Sequence, residues 1–426
     1  MSKTLGEIAF ITKLAGFEHT KYIQGNCAHT KLDESYIPLF IGKTVRDGKI
    51  DKQFDWYISK SISDELPRSQ LNKKCLVLPY VGSLGDLAIF DGSYLAHLGS
   101  NVAKIELNED SGYLEEFIYY FLKSPYGQSL LLRDMQGAVQ KNITMEAIRN
   151  VTLPDIEFNE QKVLLKILMS LDEKINNNNH INLELEAMAK NIYDYWFLQF
   201  DFPNQDGKPY KSYGGKMVWN EELKREIPDG WKVKCLGDFL ELLKDGTHNP
   251  PKRVEEGVPL LTGTMFGDVF LDYNVATYID EKDFESIHSQ YKPQRDDVII
   301  TKIGTLGNVN YLTEEDIPLA IHCNSALLRF PQNYRKMYSL MLTKSSEFQA
   351  RLRAVKGQSV QEFVSLQKIS SIHIIIPEEQ IVSRFNKETY ATLDMLSKIR
   401  KENQELVSLR DFLLPLLMNG QVGFKE

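Results

Sequence analysis

Residues 36–42 read Tyr36-Ile37-Pro38-Leu39-Phe40-Ile41-Gly42, and residues 257–263 read Gly257-Val258-Pro259-Leu260-Leu261-Thr262-Gly263. The two stretches share a Pro-Leu-x-x-Gly core at an offset of 221 residues. Outward from this core, the same offset aligns Tyr57-Ile58 with Tyr278-Ile279. Self-similarity at a fixed spacing predicts a duplicated chain whose two halves have the same fold.

Later landmarks repeat in the same order. Val77–Gly85 matches Ile299–Gly307 at an offset one residue longer. Both copies then contain a loop glycine followed by a similar set of positions, which are Gly137, Gln140, Thr144, Ile148, Val151 and Leu153 in the first copy and Gly357, Gln361, Ser365, Ile369, Ile372 and Ile374 in the second. A duplicated chain tends to be pseudo-twofold and suits a partner with twofold symmetry, such as duplex DNA. A duplication that only stabilises a scaffold remains an alternative.

Composition narrows the class of protein. The 426 residues exceed what one core usually supports, so at least two domains are expected. No run of about 18 apolar residues predicts a membrane span, and the start of the chain lacks the apolar core of a secretory signal, so a cytoplasmic location is expected. The four cysteines and eight histidines are scattered, which argues against a disulfide framework or a metal site.

The formal charge of −8 argues against non-specific coating of nucleic acid, because binding to phosphates needs a surplus of basic side chains. Any DNA binding must therefore be local. The most basic segment runs from Arg335 to Lys356, where the single acidic residue is Glu347. A solvated helix face is the other interpretation of that segment.

Two long helices are predicted by heptad spacing. The first frame passes through Leu164, Leu168, Leu171, Ile175, Asn178, Asn182, Leu185, Ala189, Ile192 and Trp196, and the second through Leu396, Ile399, Asn403, Leu406, Leu413 and Leu417. We expect the helices to pack antiparallel and to hold the two domains at a set separation. Asn182 and Asn403 lie at matching positions and are predicted to fix the register, unless the asparagine run at 176–179 only marks a frayed segment.

The predicted fold class is α+β, with two similar α/β domains and two long helices that form an antiparallel coiled coil with pseudo-twofold symmetry. The predicted segments are a first repeated domain at 1–155, a central long helix at 156–200, a linker rich in Pro, Gly and Asn at 201–230, a second repeated domain at 231–377 and a C-terminal long helix at 378–420. Trp231 is predicted to anchor the entry to the second domain.

Catalytic motifs are absent from the sequence. There is no G-x-x-x-x-G-K-[ST] phosphate loop. His248–Lys252 resembles the Asn-Pro-Pro-aromatic motif of DNA amino-methyltransferases, but Lys252 replaces the aromatic ring and no glycine-rich turn for S-adenosylmethionine accompanies it. Gly82–Gly85 lacks the G-x-S-x-G frame of a nucleophile elbow. We therefore predict no catalytic residue, no metal and no enzyme activity.

Several motifs in this order carry a resemblance. The chain has the connector Asp194–Phe197, the helix end Asp411–Gly420 and two Gly-x-x-Gln type loops at Gly137–Gln140 and Gly357–Gln361. With the repeated domains and long helices, the chain resembles the specificity subunit of a type I restriction-modification system.

The resemblance implies a non-catalytic DNA-binding subunit for defence and DNA methylation. Each repeat would be a target recognition domain that reads one half of a split sequence in double-stranded DNA. Two methyltransferase (M) subunits would dock on the helical spacer, and restriction (R) motor-nuclease subunits would join them. S-adenosylmethionine and ATP would belong to those partners, so no cofactor is expected on this chain. The repeats differ in their loops, so an asymmetric target is expected.

Candidate DNA contacts are polar residues on loops beside the repeat landmarks, because Arg and Lys read guanine, Asn and Gln read adenine, and phosphate contacts set the register. They are Lys43, Arg46, Lys49, Ser83, Gln140, Lys141 and Asn142 in the first repeat and Thr264, Lys302, Thr305, Lys356, Gln358 and Gln361 in the second.

Apolar residues at the helix ends exceed what one coiled-coil seam uses. If exposed, they would anchor the methyltransferase subunits, and otherwise they would cap the domain cores. They are Tyr193, Trp196, Phe197, Phe200, Phe412, Leu416 and Leu417.

Three other functions remain possible from the sequence. One is a specificity subunit of a related defence system with a different effector. Another is a duplicated coiled-coil adaptor that binds only proteins, which the near-neutral repeats permit. The third is an autonomous methyltransferase.

Overall fold

The computed structural model describes residues 3–46, 48–133, 135, 141–249, 251–355 and 363–418. The chain forms two compact units, of which the first comprises Met1–Asn176 with Gln404–Glu426 and the second comprises Asn177–Asn403. Each unit therefore contains one part of each of the two long helices.

The first unit contains short strands followed by helices. In chain order its elements are α1 (Leu5–Ile8), β1 (Ala9–Lys13), α2 (Gly16–Glu18), β2 (Tyr36–Phe40), β3 (Val45–Arg46), β4 (Lys49–Ile50), β5 (Tyr57–Ser59), α3 (Lys60–Asp64), β6 (Gln70–Leu71), β7 (Cys75–Pro79), β8 (Ala88–Phe90), β9 (Ala96–Leu98), β10 (Val102–Leu107), α4 (Glu115–Lys123), α5 (Pro125–Leu132), α6 (Met145–Arg149) and the first part of α7 (Phe158–Tyr193).

The second unit begins on α7 and repeats this order. Its further elements are β11 (Met217–Asn220), β12 (Arg225–Pro228), β13 (Lys232–Cys235), α8 (Leu236–Phe239), β14 (Leu242–Asp245), β15 (Arg253–Val254), β16 (Val258–Leu261), β17 (Thr277–Ile279), α9 (Glu281–Ile287), β18 (Val298–Thr301), β19 (Val309–Tyr311), β20 (Ala320–Ile321), β21 (Ser325–Arg329), α10 (Met337–Lys344), α11 (Ser346–Ala354), α12 (Leu366–Ser370), β22 (His373–Ile376) and α13 (Glu379–Met418), whose last part belongs to the first unit.

The sheets of the two units have the same topology. The first unit has an antiparallel sheet in the order β1-β10-β7-β8, and the second has β14-β21-β18-β19. A second sheet contains the order β5-β2-β9 in one unit and β17-β16-β20 in the other. In both, the Pro-Leu strand runs parallel to its later neighbour, with Leu39 opposite His97 and Leu260 opposite Ala320. The repeat in the sequence therefore corresponds to a repeat in the fold.

The edges of the second sheet differ between the units. The first unit adds β6 beside β9, whereas the second adds β15 beside β17. The central strands, which fill the apolar cores, are shared. The divergence therefore lies at the periphery of the duplicated domain.

The helical part that follows the strands is two helices in each unit, α4 and α5 in the first and α10 and α11 in the second. Ser124 separates α4 from α5, and its side chain accepts a hydrogen bond from the Gly127 amide at 3.1 Å. Ser345 separates α10 from α11 in the same way, accepting from the Phe348 amide at 3.2 Å. Ser124 and Ser345 cap the N-termini of α5 and α11, so each starts a new helix. Pro125 occupies the first position of α5, where proline is favoured because its missing N–H would be unpaired in any case.

The segment between the predicted domains is an ordered part of the second unit. β11 and β12 form an antiparallel hairpin within it. Phe202 is buried and stacks on Trp231, with ring centroids 5.1 Å apart. Trp231 therefore anchors the entry to the second domain as predicted.

In the first unit, the start of α7 packs with the end of α13. Leu164, Leu165 and Leu168 share a buried core with Leu414 and Leu417. Arg410 donates to Asp172 at 3.0 Å, and the Tyr120 hydroxyl of α4 donates to the other oxygen of Asp172 at 2.5 Å. One carboxylate thus ties a domain helix and both long helices together.

In the second unit, the end of α7 packs antiparallel to the start of α13. Asn178 lies beside Asn403, while Tyr193 and Trp196 contact Phe385, so the contacts run in opposite directions along the two helices. Asn178 is buried, and its Nδ2 donates to Asn403 Oδ1 at 2.9 Å.

Asn403, one of the two asparagines predicted to fix the register, lies in a layer of side-chain amides. Asn403 donates to Asn179 at 2.9 Å and accepts from Asn178, and Asn182 is not among its bonded partners. The stagger of the helices brings the earlier asparagines opposite Asn403. Asn178, Asn179 and Asn403 therefore form a layer of side-chain amides, and Asn178 lies one helical turn before Asn182 on α7.

The predicted α+β class, with two similar domains and long helices, is confirmed by these elements. Within the described residues, no helix combines the length and apolar character needed to cross a membrane.

Buried histidines make the stability of both units sensitive to acid. Burial lowers the pKa of His97 in β9 and of His288 after α9 below the ordinary value of about 6.5. Below that pH the unfolded chain binds a proton that the folded chain does not, so stability falls as pH drops, by up to about 1.4 kcal/mol per pH unit and per histidine.

We expect the His97→Gln variant to lose less stability between pH 7.5 and 5.5 than the native chain in urea unfolding experiments. The exposed His180 provides the control, because its replacement by Gln should leave the pH dependence unchanged. An identical pH dependence in the native chain and the His97→Gln variant would contradict the assignment.

Candidate nucleic-acid interface

A glycine-bounded loop follows the central strand of the antiparallel sheet in each unit. It is Gly82–Gly85 in the first unit and Gly304–Gly307 in the second. All four bounding glycines have φ between 83° and 90°, a conformation that L side chains rarely adopt. Ser83 and Thr305 are thereby held at the exposed tips of the two loops.

The same glutamine contact braces both loops. Gln128 of α5 donates to the Gly85 carbonyl at 2.9 Å and to the Leu122 carbonyl at 2.7 Å. Gln349 of α11 donates to the Gly307 carbonyl at 2.9 Å and to the Thr343 carbonyl at 2.8 Å. The loop is therefore fixed to the helical part of each unit rather than free in solvent.

Other loops converge on Gly82–Gly85. Val81 pairs with Asn142, and the Ile143 amide donates to the Tyr80 carbonyl at 2.9 Å. The Tyr80 amide donates to the Asn101 carbonyl at 3.0 Å. We name the set of Ser83, Asn101, Lys141 and Asn142 the first loop cluster.

Three predicted residues lie on a neighbouring turn and hairpin. Lys43 is exposed on the turn at Gly42–Thr44 and forms an ion pair with Asp55. Arg46 and Lys49 face each other across the β3–β4 hairpin, and both are exposed. The hairpin glycine, Gly48, lies against Tyr119 and Lys123 of α4. The first repeat therefore presents predicted contacts in two places.

The second unit assembles the matching loops. The Lys302 amide donates to the Asn324 carbonyl at 2.8 Å, and Ile303 pairs with Phe363. Thr247 pairs with His322 on the next loop. The second loop cluster, as we use the term, consists of Thr247, His248, Thr305, His322 and Asn324.

Thr264 lies on the turn after β16, and its hydroxyl is 2.9 Å from that of Thr262. The preceding residue, Leu261, accepts a hydrogen bond from the His322 amide at 3.3 Å. Thr264 is thus connected to the second loop cluster through a short stretch of backbone.

Lys302 is not the surface contact that the sequence predicted. It is 2% exposed, and its ammonium group lies 3.0 Å from Asp245 Oδ2. A buried ammonium is stable only with such a partner. Lys302 is therefore a positioning residue below the loops.

Four predicted residues, Gln140, Lys356, Gln358 and Gln361, lie outside the described residues. The next described residue after Gln140 is Lys141, a member of the first loop cluster. The next described residue after Gln361 is Phe363, which pairs with Ile303 beside the second loop cluster. Their roles stay predictions.

The sequence-based selection missed Asn101 and Asn324. Each accepts, through its backbone carbonyl, from the residue two positions before the glycine of the glycine-bounded loop. Their equivalence is visible in the sequence, since an asparagine precedes the last strand of the antiparallel sheet, β10 or β21, in both repeats at an offset of 223. Asparagine is a typical adenine reader, so that repeat could have been used.

Three of the six basic residues between Arg335 and Lys356 form ion pairs within the second unit. Arg335 pairs with Glu241, Lys344 with Glu186, and Arg351 with Glu347. These three cations therefore stabilise contacts within the second unit. Among the described residues, no group of three or more His, Cys, Asp or Glu side chains is placed to hold a metal ion.

The two repeated domains correspond to a known family. The family described as "Type I restriction modification DNA specificity domain" matches residues 10–187 and 228–409. The chain belongs to this family. It is a specificity subunit of a type I restriction-modification system.

The chain aligns with curated specificity subunits over most of their length. The MjaIX specificity subunit of Methanocaldococcus jannaschii is 26% identical over 338 residues, which cover 74% of this chain and 71% of the relative. The MjaVIII specificity subunit of the same organism is 23% identical over 95% of this chain and 91% of the relative. The HindI specificity subunit of Haemophilus influenzae is 22% identical over 72% and 78%.

A solved structure supports the fold. The S subunit of a type I restriction-modification system from M. genitalium aligns with a TM-score of 0.51 and 18% identity, covering 98% of this chain and 96% of that one.

Most of the predicted docking residues of this specificity subunit are buried. Tyr193, Trp196, Phe197 and Phe200 are each less than 5% exposed and pack in the core of the second unit. The reason is that Phe385 packs against Tyr193, Trp196 and Phe197. Phe200 packs against Trp231.

At the other end, Leu417 is also buried, Leu416 is half-buried and Phe412 is 66% exposed. Of the seven predicted anchors, Phe412 is the large ring that remains available for a partner.

Proposed function

We propose that each unit of this specificity subunit reads one half of a bipartite, asymmetric target in double-stranded DNA. The observation that carries the proposal is the pair of loop clusters, which have the same glutamine-braced scaffold but different polar side chains. Ser83, Lys141 and Asn142 occur in the first cluster, whereas His248, Thr305 and His322 occur in the second. Equivalent scaffolds with different readers suit two half-sites of different sequence.

Local readers also fit the charge of the chain. A net charge of −8 gives little general attraction to DNA, so affinity must come from particular loops. Exposed basic residues of the first unit, Lys43, Arg46, Lys49 and Lys141, would contact phosphates and set the register. Ser83, Asn101 and Thr305 would then face base edges.

The long helices would serve as a spacer and as the docking site for two M subunits, which R subunits join for cleavage. Phe412 and the nearby Leu409, 66% and 45% exposed, are apolar side chains on one end of α13 and support docking there. Methylation and cleavage, with S-adenosylmethionine and ATP, would belong to those partners, so this chain would be non-catalytic. A cytoplasmic location, where such partners meet DNA, stays a prediction.

Gel-shift assays would test this function with the purified chain alone and with a co-encoded methyltransferase subunit. We expect a sequence-dependent shift with the methyltransferase present. A protein-only adaptor would give no sequence-dependent shift in either case. Heat from S-adenosylmethionine binding to the chain alone in calorimetry would instead favour an autonomous methyltransferase.

Matched substitutions test whether the units read independently. We expect Asn101→Ala to relax sequence preference in one half of the target and Asn324→Ala in the other, by about 1–3 kcal/mol at a base pair that the side chain contacts. The measurement is a genome-wide map of methylated sites for each variant. Each variant is the control for the other, and relaxation of both halves by one substitution would contradict separate readers.

A further inference from the structure

The loop after β14 presents a histidine, His248, which lies immediately before the Asn-Pro-Pro stretch of the sequence. The His248 side chain is 71% exposed, and its Nε2 lies 3.2 Å from Asp245 Oδ2. The Thr247 amide donates to the Ile321 carbonyl at 2.9 Å, and the Cys323 amide donates to the Thr247 carbonyl at 3.0 Å. These bonds hold His248 beside the turn that carries Asn324, within the second loop cluster.

Asp245 is fixed from below. Its Oδ2 also accepts from the buried ammonium of Lys302 at 3.0 Å, and the Tyr291 hydroxyl donates to its backbone carbonyl at 2.6 Å. The charges of Asp245 and Lys302 cancel. A carboxylate oxygen in an ion pair is an acceptor, so His248 must donate to it through Nε2.

This contact determines what His248 shows to a ligand. In its neutral form an imidazole carries one ring proton, and the contact with Asp245 places that proton on Nε2. Nδ1 is therefore a hydrogen-bond acceptor. The protein presents an oriented acceptor on an exposed ring.

His322, on the neighbouring loop, uses its Nδ1 within the protein and presents its Nε2 instead. The Asn324 amide donates to His322 Nδ1 at 3.3 Å, so His322 is neutral with its proton on Nε2. Burial lowers the pKa of His322, which agrees with the neutral form. The cluster thus places an acceptor ring and a donor ring on neighbouring loops.

We propose that His248 is a specificity-determining residue whose Nδ1 accepts a hydrogen bond from the exocyclic amino group of a base, adenine N6 or cytosine N4, in the major groove. These amino groups are the donors that the major groove offers. The inference rests on the proposed function, since it needs the second loop cluster to face DNA. It extends that function by naming the chemical group that is read.

A phosphate does not fit this site. Phosphate oxygens are acceptors, and so is Nδ1 in this tautomer. The Asp245–Lys302 pair adds no net positive charge beneath the ring. The chemistry therefore selects a donor on a base.

The first unit lacks the equivalent arrangement. Lys13, opposite Ala103 in the sheet, occupies the place of Asp245, which is opposite Ala326. Tyr80 occupies the place of Lys302, since each donates its amide to the asparagine turn. The effect of His248 should therefore be confined to one half of the target.

The test uses the complex of this chain with its co-encoded methyltransferase. Methylated sites mapped for the native complex give the target, and binding is then measured on duplexes with single base changes. We expect His248→Ala to reduce discrimination roughly 10- to 100-fold at one base pair of one half and to leave the other half unchanged. His373→Ala is the matched control, because His373 is an exposed histidine of the same unit on β22 and should change nothing.

A duplex without the amino group gives the sharper result. Purine replaces adenine, or 2-pyrimidinone replaces cytosine, at the affected position. The native complex should bind this duplex roughly 10-fold more weakly, whereas the His248→Ala complex should bind both duplexes equally.

The inference is overturned if removing the amino group from the base weakens binding of the native and His248→Ala complexes equally. It is also overturned if His248→Ala lowers binding to all sequences alike and reduces the salt dependence of binding, as loss of a phosphate contact would. A native complex that recognises no bipartite target refutes the proposed function itself. Recognition of a bipartite target that His248→Ala leaves unaltered refutes this inference alone.

Discussion

Asp316→Asn is expected to lower the free energy of unfolding of the second unit by about 3 kcal/mol. Asp316 is fully buried in its side chain, and Arg400 of α13 donates to its two oxygens at 2.7 and 3.2 Å. The substitution leaves the guanidinium, itself 10% exposed, without a charged partner. Removing one member of a buried ion pair costs far more than the pair contributes.

Further contacts make this carboxylate a junction between domain and helix. The Tyr273 hydroxyl donates to Asp316 at 3.0 Å, and the Thr313 amide and hydroxyl each donate to it at 2.7 Å. Burial, reinforced by the Asp316 charge, raises the pKa of Tyr273, so the phenol stays a donor at ordinary pH. Loss of the charge therefore weakens several bonds at once.

Urea unfolding followed by tryptophan fluorescence measures the effect, because Trp196, Trp219 and Trp231 lie in the second unit. The adjacent pair Lys401–Glu315 is the control, with side chains 61% and 53% exposed. Glu315→Gln should change stability by less than about 1 kcal/mol, since exposed pairs contribute little. Equal effects of the two substitutions would contradict the role given to Asp316.

Deleting residues 173–179 together with 402–408 is expected to abolish tight binding to the native target and to favour half-sites closer together. Seven residues shorten a helix by about 10 Å, which corresponds to at most about three base pairs. The deletion follows from the proposed spacer role of the helices.

These bounds keep the domain contacts of each unit. Asp172 and Arg410 remain in the first unit, and Arg400 and Asp316 remain in the second. The amide layer is removed as a whole, so none of its members, Asn178, Asn179 and Asn403, is left without its partner. One heptad is lost from both helices, which preserves the apolar pattern.

Gel shifts on duplexes with different gaps, together with methylation maps, measure the new optimum. The double substitution Asn178→Leu and Asn403→Leu is the control, because it removes the central amides without changing the helix length. It should leave the gap unaltered. A deletion variant that prefers the original gap would exclude the helices as the spacer.

The sequence alone determined the duplication, the class of each half and the long helices. Local patterns indicate each of these properties. The repeated Pro-Leu-x-x-Gly and glycine-loop motifs indicate the duplication, and β-branched runs such as Val298–Thr301 indicate strands. Heptads without Pro or Gly before residue 415 indicate the long helices. Strand and helix formation depends mainly on neighbouring residues and their periodicity. The matching topology of the two sheets followed from that repetition.

Only the tertiary structure decided which side chains remain available at the surface. Asp245 comes from a strand 57 residues before Lys302 and turns a predicted DNA contact into a buried support for His248. Phe385 encloses Tyr193 and Phe197, and helix stagger gives Asn403 its partner, Asn178. Burial and pairing depend on residues that folding brings together from distant parts of the chain, and a local pattern does not specify those neighbours.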